Sequence, residues 1–130
     1  MARLIADTSL LISAERRGQT IESLVGDSDD LAIATVTAAE MLVGVELAGA
    51  RHREARRAYV ERMLEGLTIE DYTLEVAKAH ALLLAHVRRT GRPRGVIDLI
   101  IAATAVARDR IVITGDRSGF EGLPGVSVSE

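Results

Sequence analysis

Four carboxylates in this sequence stand where an acid can do chemistry. Asp7 follows the short apolar run Arg3-Leu-Ile-Ala6, and Glu40 lies near the start of an apolar helical stretch. Asp98 opens the segment that runs to Ala107, and Asp116 comes three residues after Ile113. In a parallel α/β sheet, ligands bind outside the carboxyl ends of the strands. If the strands lie side by side, these four acids meet at one edge. Two carboxylates ~4 Å apart repel by about 4 kcal/mol at an effective dielectric of ~20, against a whole-domain stability of about 5–15 kcal/mol. Protonation of some members relieves that cost, and so does a divalent cation. A ligand set of oxygens alone favours Mg²⁺ or Mn²⁺. The usual task of such a site is phosphoryl chemistry, with the ion polarising a phosphoryl oxygen and acidifying a water.

Each acid also has a plain structural role open to it. Asp7, ahead of Thr8-Ser9, reads equally as a turn or helix-cap acid. Glu40 is the last residue of Thr37-x-x-Glu40, which has capping-box spacing. Asp98 in a first helical turn complements the helix dipole. Asp116, between Gly115 and Arg117, suits an ordinary turn, and Glu46, within an apolar helix, suits an ion pair with an arginine. Their shared topological position is what argues for chemistry. Other constellations are missing. The chain has no cysteine, hence no thiolate site or disulfide. His80 and His86 are six residues apart, not the three or four that share a helix face, and His52 sits among arginines. Neither a Walker A loop, a dinucleotide fingerprint nor a G-x-S-x-G elbow occurs.

The elements that would carry these acids follow from pattern. Short apolar runs at Arg3–Ala6, Leu31–Ala34, Leu67–Ile69, Ile111–Ile113 and Val126–Val128 read as strands. Helices are expected from a Thr8 or Ser9 cap to Ala14, over Thr37–Ala48, Arg51–Glu65 and Thr73–Arg89, and from Val96–Asp98 to Ala107. Thr20–Val25 reads as a short helical piece. The Thr37–Ala48 helix is apolar nearly all round and is expected to be buried on most sides. In the next helix Ala55, Ala58, Tyr59, Met63 and Leu64 are expected to face the core. This helix and Thr73–Arg89 are expected to expose little apolar surface. Strands alternating with helices give an α/β domain with a mainly parallel sheet flanked by helices.

With 130 residues the chain suits one domain, 1–130. Hydrophobic residues at 48% and charged residues at 27% exclude a disordered chain. Aromatics are only 2%, so recognition by stacked aromatics is excluded as a main device. The net charge of −3 speaks against a nucleic-acid partner, but its distribution qualifies that. Every base except Lys78 is arginine, and Arg88, Arg89, Arg92 and Arg94 form a cluster suited to a phosphate backbone. Solvated helix faces are the plain alternative. The longest uncharged run near the C-terminus, Leu99–Ala107, is far short of the roughly 20 residues of a membrane span. No signal-peptide core precedes Asp7. Lack of cysteine suits a reducing compartment, and a cytoplasmic protein is expected.

Four ordered motifs resemble one family. Leu4-Ile-Ala-Asp-Thr-Ser-Leu-Leu-Ile12 looks like the opening strand and first acid of PIN-domain nucleases. Thr35-Val-Thr-Ala-Ala-Glu-Met-Leu-Val-Gly-Val-Glu46 looks like their second acidic segment, and Gly95-Val-Ile-Asp-Leu-Ile-Ile-Ala-Ala-Thr-Ala105 is very similar to the helix bearing the third acid. Ile113-Thr-Gly-Asp-Arg-Ser-Gly-Phe-Glu-Gly-Leu-Pro-Gly-Val126 resembles the family's end. The size points to the VapC-type toxins of bacterial toxin–antitoxin pairs. The resemblance implies a PIN-like three-layer fold and a Mg²⁺- or Mn²⁺-dependent ribonuclease. It also implies a homodimer, inhibited by a cognate antitoxin encoded beside it. Asp7, Glu40, Asp98 and Asp116 carry over as the acidic quartet, with Asp7 and Asp98 as the leading metal ligands. Thr8, Ser9 and Thr114 fall near as orienters. Many relatives have Asn in place of Asp116 and an acid where Gly119 stands, whereas others carry the acid as here.

Two other functions compete. A regulatory module of receiver type would bind Mg²⁺ at an acidic cluster and accept a phosphoryl group. That class needs a lysine near the last strands, and the sole lysine, Lys78, lies in a central helix. A domain that only binds protein would use the acids as caps.

Overall fold

The computed structural model describes residues 1–129. The elements run β1 (Arg3–Ala6), α1 (Thr8–Arg16), a 3₁₀ turn (Ile21–Leu24), β2 (Asp30–Ala34), α2 (Thr35–Leu47), α3 (Ala50–Gly66) and β3 (Thr68–Glu70). They continue with α4 (Leu74–Thr90), α5 (Val96–Arg108), β4 (Ile111–Ile113), a second 3₁₀ turn (Arg117–Gly119) and β5 (Val128–Ser129). The strands pair in the order β3-β2-β1-β4-β5, and every pairing is parallel. Leu4 lies opposite Leu31 on one side and Ile111 on the other.

The pleat sorts each strand's side chains between two cores. On β1, Ile5 packs with Val76, Leu83, Leu99, Ile101, Val112 and Phe120, beneath α4 and α5. Leu4 and Ala6 pack on the other face with Leu11, Ile33, Met41, Val45, Val60 and Met63, beneath α1, α2 and α3. The result is the three-layer α/β architecture that the alternation of elements implies. The chain starts in the middle strand, builds outward through β2 and β3, then crosses back to lay β4 and β5 on the other side of β1. The strand order therefore reverses between β1 and β4. Such switch points open a crevice at the carboxyl end of the sheet.

Arg110, with its side chain 3% exposed, fastens strands together away from that crevice. Its guanidinium donates to the carbonyls of Leu4 and Asp30, at 3.1 and 3.0 Å, and pairs with Glu70 at 2.7 Å. At the end of α4, Gly91 takes a left-handed conformation at φ 67 and its N–H closes onto Val87 O.

Several expectations about the helices are corrected. Asp7, not Thr8 or Ser9, caps α1. The second helix begins at Thr35 rather than Thr37 and has Ala34 at its N-cap, so Thr37 and Glu40 form no capping box. Nor is that helix buried on most sides. Thr37, Met41 and Val45 face the core at helical spacing, while Leu42, Val43 and Leu47 are exposed, because no layer covers the outer face. On α3, Val60 and Met63 are buried, and Ala55 and Ala58 face solvent. On α4, Leu74 and Leu82 are largely exposed, contrary to the expected scarcity of apolar surface. The last strand begins two residues later than its apolar run suggests. Among the described residues, no helix is long and apolar enough to cross a membrane.

Candidate active site

Asp7 is the most constrained of the four acids. It follows β1 directly, is 3% exposed, and its backbone N–H donates to Ile113 O across the switch point. Its Oδ1 accepts from the Leu10 N–H at 2.9 Å, capping α1. Its Oδ2 accepts from the hydroxyls of Ser9 at 2.9 Å and Thr114 at 2.5 Å. A carboxylate offers about four lone-pair sites, so one on Oδ1 stays open to an outside partner.

Thr114, buried just beyond β4, also accepts the Asp116 N–H at 3.0 Å. Asp116 caps the second 3₁₀ turn: its Oδ1 accepts from the Ser118 N–H at 3.1 Å and hydroxyl at 2.6 Å. Those two bonds, the hydroxyl's first, hold its carboxyl below the usual carboxylate range. Asp98 stands in the first turn of α5, whose N-cap is Gly95, a residue with no side chain to cap the helix.

Asp98 registers the convergence of the acids. Burial raises its pKa above the usual value first, and the charges of Asp7, Asp116 and Glu40 raise it further, while Arg94 acts in the opposite direction. Segments after β1 and β4 and on α2 and α5 therefore bring like charges to one place. Among the described residues, however, no three acids or histidines stand close enough to form a ready metal shell. Mg²⁺ usually keeps several waters and takes only one or two carboxylates. An open set of carboxylate oxygens with a spare lone pair on Asp7 fits that chemistry.

A cleft of about 510 Å³ lies beside the acids, lined by Gly91, Arg92, Pro93, Arg94, Ser118 and Glu121. Arg94 Nη2 donates to Glu121 O at 2.8 Å, and its Nη1 is buried without a hydrogen-bond partner among the described residues. A second cavity, of about 400 Å³, lies between α1, the 21–24 turn and α3; none of the four acids lines either one, and the first adjoins them through Ser118, the partner of Asp116.

The PIN domain family model matches residues 4–125. The chain belongs to the PIN-domain family. Its relatives are VapC ribonucleases. Ribonuclease VapC5 of Mycobacterium tuberculosis is 36% identical over 129 residues, covering 97% of this chain and 91% of the relative. The tRNA(fMet)-specific endonuclease VapC of Salmonella typhimurium is 30% identical over 100 residues, 77% of this chain and 74% of the relative. The crystal structure of VapBC-5 from M. tuberculosis, a VapBC toxin–antitoxin system, matches with TM-score 0.80 and 31% identity over 98% of both chains. The DNA-bound VapBC of S. typhimurium matches with TM-score 0.87 and 27% identity, over 99% of this chain and 98% of that one.

In this PIN domain the residues singled out by sequence divide into two groups. Asp7, Asp116 and Glu40 act on Asp98, and Ser9 and Thr114 bond Asp7 directly. Glu40 lies beyond the first turn of α2 and is exposed. The Thr8 hydroxyl lies 3.3 Å from that of Thr37, so it braces α1 against α2. Arg92 and Arg94 line the cleft, whereas Arg88 and Arg89 are exposed on the last turn of α4 and do not. Glu46 is exposed rather than buried in an ion pair. Ser118, which bonds the Asp116 carboxylate, escapes a search for acids, and its only signal is position, two residues after Asp116.

Proposed function

We propose that this PIN domain is a metal-dependent endoribonuclease and the toxin of a toxin–antitoxin pair. The observation that carries the proposal is the pressure of Asp7, Asp116 and Glu40 on Asp98 at the sheet's switch point. The VapC relatives supply the substrate class. Asp7 and Asp98 would hold Mg²⁺ or Mn²⁺, with Glu40 and Asp116 completing its surroundings. When bound, such an ion polarises a phosphoryl oxygen and acidifies a water. Glu40, the exposed acid on α2, accepts the proton of the attacking water. Thr114 and Ser9 fix the Asp7 carboxylate by donating to Oδ2. Arg92 and Arg94 receive the RNA backbone in the adjoining cleft, with Arg88 and Arg89 extending the basic surface.

VapBC complexes among the structural neighbours support a cognate antitoxin as partner. An antitoxin arginine at the acidic cluster would pair with its carboxylates. The chain would act as a cytoplasmic homodimer, a C2 arrangement setting two sites near each other. Expression of the chain alone should arrest growth and fragment RNA, and Asp98→Asn should abolish both effects. Arrest of equal strength by the variant would contradict a nuclease toxin. The receiver alternative is disfavoured by Lys78, which is exposed on α4 and lines neither the acidic site nor its cleft.

A further inference from the structure

Arg94 differs from the arginines around it. It is partly buried, whereas Arg88, Arg89 and Arg92 are exposed. Its guanidinium is also fixed in place. Nη2 donates to Glu121 O at 2.8 Å and sits against Gly122, where a built Cβ would lie 3.8 Å from it. The Glu121 carboxylate is engaged by Arg117 Nε at 2.7 Å. Nη1 of Arg94 is left buried and without a hydrogen-bond partner among the described residues. A buried charged donor is costly to leave unbonded, so this nitrogen calls for an acceptor.

The acceptor has a definite chemistry, since the planar fork of arginine matches the oxygens of a phosphate. Arg94 lines the cleft together with Ser118, whose hydroxyl bonds Asp116 Oδ1 at 2.6 Å. Its charge also acts on Asp98, against the effects of burial and of the three acids. Arg94 thus stands where the cleft meets the acids, and a phosphodiester entering from the cleft reaches them past it.

We propose that Arg94 is a catalytic residue whose Nη1 donates to a non-bridging oxygen of the scissile phosphate. That role rests on the nuclease reading above. In hydrolysis the oxygen of water bonds phosphorus and one ester P–O bond breaks. Glu40 takes the proton of the water, and the leaving oxygen gains one from solvent. Charge on the non-bridging oxygens is redistributed in the transition state, and a fixed donor placed for that state raises kcat rather than affinity alone. Arg92, exposed in the same cleft, holds the backbone alike in both states.

The test uses the wild type, Arg94→Ala and Arg94→Lys on an RNA oligonucleotide carrying a site that the wild type cuts in cellular RNA. Arg94→Ala should lower kcat about 10²-fold or more, the scale for one lost transition-state donor. Its KM should stay within about 3-fold, the pattern of an interaction made in the transition state. Arg94→Lys, a point charge without the fork, should fall between the two. Calorimetric titration with Mn²⁺ alone should show Arg94→Ala binding at least as tightly as the wild type, because a repelling cation is gone. If Arg94 merely clasps the chain around Glu121, the acids shift with it and Mn²⁺ affinity falls together with kcat. That result would overturn the proposal, as would a rise in KM alone or an undiminished kcat. If Arg94→Ala does not fold, a reduced kcat at unchanged Mn²⁺ affinity in Arg94→Lys sustains it, and failure of both variants to fold counts against it. Failure of the nuclease reading looks different, because the wild type itself would then cut no RNA.

Discussion

The Thr114 hydroxyl stands 2.5 Å from Asp7 Oδ2 and ties the ends of β4 and β1 across the point where the sheet reverses its order. The same oxygen receives the Asp116 N–H. One side chain therefore ties the Asp7 carboxylate to the backbone of Asp116, each residue lying just beyond a different strand. Thr114→Val keeps the shape and removes the hydroxyl. It should cost about 1.5–3 kcal/mol, the range for a hydrogen bond to a charged group, and Thr114→Ser should recover most of that. Urea denaturation at neutral pH measures both, and a valine variant as stable as the wild type would remove Thr114 from this role.

Asp98 gives the metal-free protein a pH dependence with a definite sign. Burial and three like charges raise its folded-state pKa, so the native carboxyl holds its proton more firmly than the unfolded chain does. That favours folding at low pH and is lost as pH rises through the folded pKa. The stability of the wild type relative to Asp98→Asn should therefore fall as pH rises from about 4, the ordinary carboxylate range, toward neutrality. Parallel stability curves for the two proteins would show that Asp98 feels no such pressure.

Glu40 has no capping box to serve, since α2 starts at Thr35. Glu40→Gln should then leave stability within about 0.5 kcal/mol, as for a surface change. RNA cleavage should fall about 10²-fold or more, the scale of a lost general base. A variant cutting at nearly the wild-type rate would exclude Glu40 from proton transfer.

Arg92 is exposed and lines the cleft beside the acids. Arg92→Ala should raise KM for RNA several-fold with little change in kcat. It should also flatten the salt dependence of RNA affinity by about 0.7–1 in log–log slope, the share of one phosphate contact. An unchanged slope would place the RNA backbone elsewhere.

The sheet and its layers were legible because short apolar runs alternate with helical patterns, and Asp7, Asp98 and Asp116 fall beside a strand end or helix start. The helix faces were less so. On α2 the residues Leu42, Val43 and Leu47 have the hydrophobicity of a core but lie on a side no layer covers, and composition does not register which side that is. The Thr37-x-x-Glu40 spacing imitated a cap because spacing says nothing of where the backbone turns. The acids themselves were legible as residue types, and so were the hydroxyls of Ser9 and Thr114. The bond between the Thr8 and Thr37 hydroxyls was not, because nothing in the spacing of two threonines 29 residues apart shows that their helices meet.

The central claim is that the acids around Asp98 form a divalent-ion-dependent ribonuclease site. The most direct measurement is cleavage of RNA by the purified chain, with Mg²⁺ or Mn²⁺ and with the ions chelated, for the wild type and Asp98→Asn. The account predicts cleavage by the wild type that requires the ion and falls about 10²-fold or more in the variant. Cleavage that persists undiminished under chelation, or that Asp98→Asn leaves intact, would contradict it.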